Sequence, residues 1–376
     1  MRVLTAGESH GQYEVGIIEG FPKGLRVDQA FIDRELKRRM SGYGRGARMA
    51  LEIDEVHIVS GVRDKVTLGS PVAMLVRNRD VRIFAAKNDK QEQLVVPRPA
   101  HADLAGALKY ADKDIRNILE RSSARETVAR VAIGALCKQF LAELGVHISS
   151  FTLSVGSAAV SRIPSSIAAI LSAAKKSQLN CPDPKAELRM IDEIDKASKA
   201  RDSLGGVCEV RAEGICPGIG SCMHFDKRLD SRIAGNLMSI PAIKGVEIGL
   251  GFEYAAKRGS AAHDKIYYAR GQGFFHKTNR SGGIEGGMST GEPIVARIAM
   301  KPIATLLRPL DSVNLTTHKK AKAVVERSDT CAIVACGVIA ESMVAIALTE
   351  SYLEKFGCDS LGEIKANYRN YLKSLK

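Results

Sequence analysis

The sequence predicts one compact α+β domain in which helices and strands mix without a regular strand–helix–strand repeat. Some segments repeat apolar residues every three or four positions and others alternate them. No proline-rich, serine-rich or charged linker divides the 376 residues. Hydrophobic residues at 45% and charged residues at 26% are typical of a globular chain, which excludes a fibrous or mostly disordered protein.

In the first half, periodicity and capping residues predict four elements. Residues 15–18 and 50–60 are predicted as strands, the second from alternating apolar positions. Residues 28–40 are predicted as a helix with Asp28 as its N-cap. Residues 124–145 give the clearest helical pattern, since small and branched apolar residues recur there at helical spacing.

In the second half, the same patterns predict helices at 163–174 and 186–200, strands at 247–254 and 294–300, and a loop opening at 321–326. A further helix is predicted at 331–348, which is apolar except for Glu341 and Ser342. Its length is at the lower limit for a membrane span, and a carboxylate is costly within lipid. We therefore expect a buried core helix and no membrane association.

The chain carries a surplus of positive charge, with 55 Lys and Arg against 42 Asp and Glu, or +13. Such a surplus attracts nucleic acid, an acidic membrane or a small polyanion. An RNA-binding protein is the main alternative to an enzyme. The 5% aromatic content and the lack of tryptophan weaken it, because few side chains are left to stack on bases.

The eight cysteines form no Cys-x-x-Cys pair, so a zinc ribbon or thioredoxin-like motif is unsupported and no metal site is expected. The first residues carry no apolar segment of signal-peptide length. We expect a cytoplasmic location, free thiols and mostly buried cysteines.

Two loops place a histidine among glycine, serine, arginine or proline. The first is GESHG at 7–11, which contains His10, and the second is PRPAHAD at 97–103, which contains His101. A loop histidine can carry a proton near neutral pH. Each motif alone also fits an ordinary surface turn.

Two segments favour anion binding. Residues 34–48 hold six basic residues and one acidic residue, and glycine alternates with arginine in SGYGRGAR at 41–48. Such a loop can approach a phosphate while guanidinium groups clamp its oxygens, although a solvated basic face is the alternative. In ERSSARET at 120–127, hydroxyls and two arginines begin a helix, which suits an anion, and Ser123 with Glu126 also fits a capping box.

Two further motifs remain. The glycine-rich loop at 279–291 can wrap a flat ligand, and a flexible connection explains its glycines as well. In RSD at 327–329, Arg327 favours the ionised form of Asp329, which could then act as a base. A structural ion pair fits this motif equally.

Taken in order, these six motifs resemble those of the chorismate synthase family over residues 7 to about 348. The resemblance implies a β-α-β sandwich, a single large domain over residues 1–376 with a peripheral helix at about 349–376, and assembly as a homotetramer. It implies a carbon–oxygen lyase of the shikimate pathway, which supplies aromatic amino acid biosynthesis. The reaction is the anti-1,4-elimination of phosphate from 5-enolpyruvylshikimate 3-phosphate, with reduced FMN required but no net redox change.

The resemblance also implies roles for individual residues. His10 corresponds to the acid that protonates departing phosphate, His101 to the histidine that keeps a proton near flavin N1, and Asp329 to the base that helps flavin N5 accept the C6 proton. The matched substrate-binding positions are Ser9, Arg39, Arg45, Arg48, Arg98, Ser123, Arg125 and Arg327. The matched flavin-binding positions are Arg121, Ser122, Ser123, Pro241, Ala242, Gly286, Lys301, Pro302, Ile303, Ala304, Thr305 and Arg327.

Three positions depart from the family pattern. Ala100 stands where many members have glycine, Glu326 where histidine is usual, and Pro241 where an asparagine contacts flavin. We expect a small polyanionic substrate and no nucleic acid. Whether NADPH reduces the flavin on this chain or an external flavin reductase supplies it stays open, as does the use of Arg39 and Arg45 for nucleotide or substrate. Another FMN enzyme, such as a flavin reductase, is the second alternative.

Overall fold

The computed structural model describes residues 1–46, 53–81, 93–164, 166–271, 273–326 and 328–375. The strands are β1 Arg2–Gly7, β2 Tyr13–Glu19, β3 Val56–Ser60, β4 Val62–Arg63, β5 Val66–Thr67, β6 Val72–Arg77, β7 His147–Val155, β8 Ala158–Ala159, β9 Gly206–Glu213, β10 Ile243–Ile248, β11 Ile266–Ala269, β12 Gly273–His276, β13 Ile284–Glu285, β14 Met288–Ser289, β15 Ile294–Met300, β16 Asp311–Val313 and β17 Lys320–Lys322. The helices are α1 Gln29–Met40, α2 Asp103–Tyr110, α3 Arg116–Ser122, α4 Thr127–Ala142, α5 Ile167–Ala174, α6 Pro184–Lys199, α7 Leu229–Met238, α8 Phe252–Ala255, α9 Gly259–Ala262, α10 Ile333–Phe356 and α11 Leu361–Ser374.

Two antiparallel sheets enclose a layer of helices. The first sheet has the order β1-β2-β6-β3 and the second the order β10-β15-β9-β7-β8. Helix α4 packs on β2 and β6 of the first sheet, α10 packs on β7 and β9 of the second, and the two helices pack against each other. This arrangement is the β-α-β sandwich that the family resemblance implies.

Glycines allow the close approach of these layers. A Cβ atom on Gly16 of β2 would lie 3.0 Å from Cδ1 of Ile133 on α4. A Cβ atom on Gly134 of α4 would lie 2.3 Å from Cβ of Ser342 on α10. The contact at Gly16 would be tight, and real Cβ atoms essentially never approach as closely as 2.3 Å. Helices α4 and α10 can therefore cross at this distance only because residue 134 lacks a side chain.

Helix α10 is a core helix, as predicted from its apolar composition. It is long and apolar enough to cross a membrane, yet 94% of its most apolar stretch is buried inside the protein. It extends eight residues beyond the predicted end at 348, and α11 then packs Tyr368 and Tyr371 against Phe356. The cysteines are free, six of them buried, while Cys222 and Cys358 are exposed.

One carboxylate in α10 is fully buried and paired. Glu341 accepts hydrogen bonds from both terminal nitrogens of Arg38 at 2.9 Å, from Lys138, and from Ser150 at 2.7 Å. Lys138 also lies 2.5 Å from Glu35. Burial alone would raise the pKa of Glu341, but Lys138 and Arg38 hold it below its usual value. Arg38, in the basic segment at 34–48, therefore serves the core.

Local signals predict several elements well. Asp28 caps α1 through a 3.1 Å bond from the Phe31 amide, and the strand at 294–300 is β15. The strand predicted at 50–60 begins only at Val56, and residues 50–52 lie outside the described part of the chain. The strand predicted at 247–254 is wrong beyond Ile248, because Gly249 and Gly251 have φ of +61° and +53° and turn the chain into α8.

Three other boundaries differ from the prediction. The helix at 163–174 begins only after Ser166, whose hydroxyl caps it by accepting from the Ala169 amide. The helix at 124–145 divides into a 3₁₀ turn, Ala124–Glu126, and α4. Part of the loop predicted at 321–326 is β17, which pairs with β16.

Candidate active site

The loop between β1 and β2 is fixed from two sides, and it carries Ser9 and His10. The Asn78 side-chain amide, just beyond β6, donates to the carbonyls of Glu8 at 3.1 Å and Gly11 at 2.9 Å. The Ser9 amide donates to the Glu120 carbonyl at 3.0 Å, and the His10 amide donates to Glu120 Oε2 at 2.8 Å. Both side chains are buried, so this loop is a rigid platform.

The His10 ring lies between two carboxylates. Its Nδ1 is 2.9 Å from Glu120 Oε1, and its Nε2 is 3.8 Å from Asp80 Oδ2. Glu120 is only 3% exposed, and an ionised carboxylate can only accept, so Nδ1 carries the proton and donates it. Sequence reasoning missed Glu120 and Asp80 as site residues, although Glu120 opens the ERSSARET motif.

Arg39 and Arg125 form a buried cation pair around one carboxylate. Arg125 donates to Asp54 Oδ1 at 2.6 Å, and Arg39 approaches Asp54 Oδ2 at 3.4 Å. Arg39 also donates to Thr127 Oγ1 at 3.0 Å, where α4 begins, while Arg125 donates to Asn78 Oδ1 at 2.7 Å. Burial lowers the pKa of Arg39 to about 10, which still leaves it charged at neutral pH. One carboxylate between two guanidinium groups leaves a net positive charge.

Asp329 pairs with the glycine–arginine loop. Its Oδ1 accepts from the Gly46 amide at 2.6 Å, and its Oδ2 lies 3.2 Å from Arg45 Nη1. The predicted partner was Arg327, which lies outside the described residues, as does Arg48. A cation thus accompanies Asp329, and it comes from a segment almost three hundred residues earlier in the chain.

His101 forms a second histidine–carboxylate pair at the start of α2. Its Nδ1 is 2.5 Å from Asp103 Oδ1, and Arg98 donates to Asp103 Oδ2 through Nε at 2.8 Å. Although burial opposes ionisation, hydrogen bonds from His101 and Arg98 hold the pKa of Asp103 well below its usual range. Arg98 also donates to Thr305 Oγ1 at 2.9 Å, which joins this pair to the 301–305 segment.

The 301–305 segment follows β15 and meets Ala242, a predicted flavin position, and Ala100, a departure from the family pattern. The Lys301 amide donates to the Ala242 carbonyl at 2.9 Å, and the Lys301 side chain donates to the Ala100 carbonyl. Ala242 and Ala100 have φ of +72° and +61°, the left-handed region that favours glycine. Ala242 directly follows Pro241, and its carbonyl already accepts a hydrogen bond from the Lys301 amide.

The structure also describes Pro302, Ile303 and Ala304 of this segment. Ile303 accepts from the Ser203 hydroxyl at 2.7 Å through its carbonyl oxygen. Pro302 and Ala304 flank it in a stretch without regular secondary structure. The 301–305 segment therefore leads away from β15 and contacts the His101 pair through Thr305 and Arg98.

The other predicted flavin positions are distributed more widely. Arg121 donates to the Thr5 carbonyl at 2.9 Å, and the Ser122 hydroxyl donates back to Ile118 within α3. Ser123 accepts from the Arg125 amide at 3.3 Å, whereas the Glu126 carboxylate bonds Thr5 and Arg130. The capping box that the spacing of Ser123 and Glu126 also fits therefore does not form. Gly286 lies in the β13–β14 turn, which packs against residues 218–222.

A cavity of about 1190 Å³ lies on one side of the glycine–arginine loop. Its lining includes Tyr43, Gly46, Lys175, Asp195 and Ser328. It borders the Asp329 segment, but neither histidine lines it. The chemistry of the two histidine pairs therefore lies elsewhere than in this cavity.

The described groups can carry out two kinds of chemistry. Two histidines paired with buried carboxylates can hold and transfer protons. Fixed guanidinium groups can bind and orient a polyanion.

Comparison with known proteins agrees with this combination. The chorismate synthase family model matches residues 1–353. A chorismate synthase of Desulforudis audaxviator is 51% identical over 385 residues, covering 100% of this chain and 98% of that protein. One of Symbiobacterium thermophilum is 50% identical, covering 100% and 99%. A crystal structure of chorismate synthase superposes with a TM-score of 0.82 at 41% identity, covering 100% of this chain and 98% of the other. The chain belongs to the chorismate synthase family.

Proposed function

We propose that this chain forms chorismate by anti-1,4-elimination of phosphate from 5-enolpyruvylshikimate 3-phosphate, with reduced FMN as cofactor. The observation that carries the proposal is the His10 ring held by Glu120, in a loop that Asn78 joins to the buried Arg39–Arg125 pair. An acid for a leaving phosphate and cations for a polyanion are what this reaction needs.

The fixed arginine side chains bind the substrate in this proposal. The substrate carries two carboxylates and a phosphate, and like charges in contact repel by several kcal/mol at an effective dielectric of about 20. Arg39, Arg125 and Arg45 offset this repulsion, and their own partners hold them in place before substrate arrives. Such preorganisation avoids the entropy cost of ordering the long side chains during binding.

Two groups are proposed to move the protons. His10 protonates the oxygen of the departing phosphate from Nε2 as the carbon–oxygen bond breaks, and Glu120 stabilises the protonated ring. Asp329 would serve as the base that assists removal of the proton from carbon C6, and Arg45 balances its charge. His101 would keep a proton near the flavin ring, while Asp103 fixes the orientation of the imidazole.

The residues present fit a flavin phosphate and its polar ring edge. Burial and the nearby Lys244 lower the pKa of Lys301, and two close ammonium groups favour an anion. Lys301, Thr305 and the 301–304 backbone would hold FMN, which when bound in reduced form supplies the electron density that the elimination requires. The Pro241 position contributes through its backbone, since proline has no side-chain donor.

Supply of the cofactor and assembly are proposed from the family. We expect reduced FMN from an external flavin reductase, with NADPH as indirect reductant, in a cytoplasmic homotetramer. The direct test compares anaerobic chorismate formation with dithionite-reduced FMN against NADPH plus oxidised FMN. Activity only in the first reaction supports an external supply, and sedimentation analysis measures the oligomer.

The roles of two residues can be tested by substitution. His10→Ala and Asp329→Asn are expected to fold normally and to lose most chorismate formation with reduced FMN supplied. Turnover like that of the wild type in both variants would exclude these roles. RNA binding with a steep salt dependence and no flavin binding would favour the RNA-binding alternative. Stoichiometric consumption of reduced flavin would favour a reductase.

A further inference from the structure

Glu14 is a buried carboxyl group beneath the site. It lies on β2, is 1% exposed, and neither of its carboxylate oxygens has a hydrogen-bond partner among the described residues. It faces Gly7 across the β1–β2 ladder, and a Cβ atom on Gly7 would lie 2.6 Å from Glu14 Oε2. The carboxyl group therefore occupies the space over Gly7, where the chain enters the His10 loop.

Charged groups surround Glu14 without bonding to it. They are Arg121 from α3, Arg125 and Glu126 from the 3₁₀ turn, and Arg39 from α1. The neighbouring strands contribute Gly7 and Val76, neither of which titrates. Arg39 and Arg125 direct their described hydrogen bonds to other partners, so they act on Glu14 through their electric field.

The protonation of Glu14 is balanced near neutral pH. Burial raises its pKa to about 7, and Arg125 and Arg121 oppose that shift. An anion bound to Arg39 and Arg125 would add negative charge and offset the cations that favour the ionised form. Burial and the bound anion therefore both favour the protonated form of Glu14.

We propose that Glu14 takes up one proton from solvent when the polyanionic substrate binds at the Arg39–Arg125 pair, so that substrate affinity is coupled to protonation of this buried carboxyl. The inference rests on the proposed function and adds a residue to its binding step. An O–H bond forms on Glu14 as the same proton leaves hydronium or a buffer acid in the solvent, and no electrons are transferred. In the bound state Glu14 is neutral and does not repel the substrate.

The sign of the pH dependence follows from linkage. Below about pH 6 Glu14 is protonated with or without substrate, so binding takes up no proton at this site. Above pH 7 free Glu14 is ionised and must be protonated on binding. Affinity then falls by up to about tenfold per pH unit until the bound form also ionises.

The test is calorimetric titration of 5-enolpyruvylshikimate 3-phosphate into the full chain with oxidised FMN, which permits binding without turnover. Comparing buffers of different ionisation enthalpy gives the protons taken up. The wild type should take up more protons than Glu14→Gln at about pH 8, and the variant should bind about tenfold more tightly there. At about pH 6 the two should bind equally. Glu19→Gln, at the exposed end of the same strand, is the matched control and should behave as wild type.

The outcomes separate the two proposals. If the wild type does not bind the substrate at all, the proposed function fails. If it binds and Glu14→Gln shows the same proton uptake and pH dependence, the inference about Glu14 fails and the function stands. If the variant does not fold, infrared difference spectra of the wild type decide. Substrate binding should then produce the carbonyl stretch of a protonated carboxylic acid, and its absence would overturn the inference.

Discussion

Glu120 is expected to position and charge-stabilise His10, so Glu120→Gln should slow the reaction without unfolding the protein. The carboxylate accepts from His10 Nδ1 at 2.9 Å and from the His10 amide at 2.8 Å, and it is 3% exposed. Hydrogen bonds to a charged group contribute about 1.5–3 kcal/mol, and glutamine keeps the shape while removing the charge. Since about 1.4 kcal/mol is tenfold in rate, we expect kcat to fall by roughly 10- to 100-fold.

The assay is anaerobic steady-state formation of chorismate with reduced FMN, at saturating substrate and over a substrate series. KM should change little, because the described hydrogen bonds of the Glu120 carboxylate go to His10 and not to the arginines proposed to bind the substrate. Glu143→Gln is a suitable control, since Glu143 lies at the exposed end of α4 and pairs with Lys365. A Glu120→Gln variant with kcat within twofold of the wild type would refute the role given to this carboxylate.

The other predictions concern stability, measured by chemical or thermal unfolding. Lys138→Met should destabilise the fold by about 3–5 kcal/mol, since it removes one partner of the fully buried Glu341, and an unchanged unfolding free energy would contradict this. Because the pKa of Glu341 is lowered in the folded state, its contribution is present above about pH 4 and is lost as pH falls through the folded value. Ala100→Gly should stabilise by about 1 kcal/mol by relieving a φ of +61°, and a lower melting temperature would argue against strain there. Gly134→Ala should destabilise through its clash with Ser342, and an unaltered melting temperature would show that the helices can separate.

Features fixed by neighbouring residues were predictable from the sequence. The Asp28 cap and the strand at 294–300 depend on a few adjacent positions, and the structure confirms both. The strand predicted at 247–254 failed because two glycines outweighed the apolar pattern. A pattern of apolar residues describes which side is buried, but it does not describe the φ that a following glycine adopts.

The partners of the site residues were not predictable in this way. Glu120 approaches His10 across 110 positions, and Arg45 reaches Asp329 across almost three hundred. These pairs depend on how the two sheets and the helix layer bring distant loops together, which periodicity does not encode. Asp54, which links Arg39 and Arg125, lies inside the segment predicted as a strand and belongs to none of the six motifs.

The last turn of α1 directs its two adjacent arginines into different networks, Arg38 to the core carboxylate Glu341 and Arg39 to Thr127 at the proposed substrate site. The two residues are neighbours in one helical turn, so we expect a backbone shift at Arg38 to reach Arg39 as well. A genetic selection for weakened substrate use should therefore recover substitutions at Lys138 and Glu341, which lie outside the six motifs, together with substitutions in the motif loops. Inhibitor resistance could arise by the same route, through interior positions that sequencing of the motif loops alone would overlook.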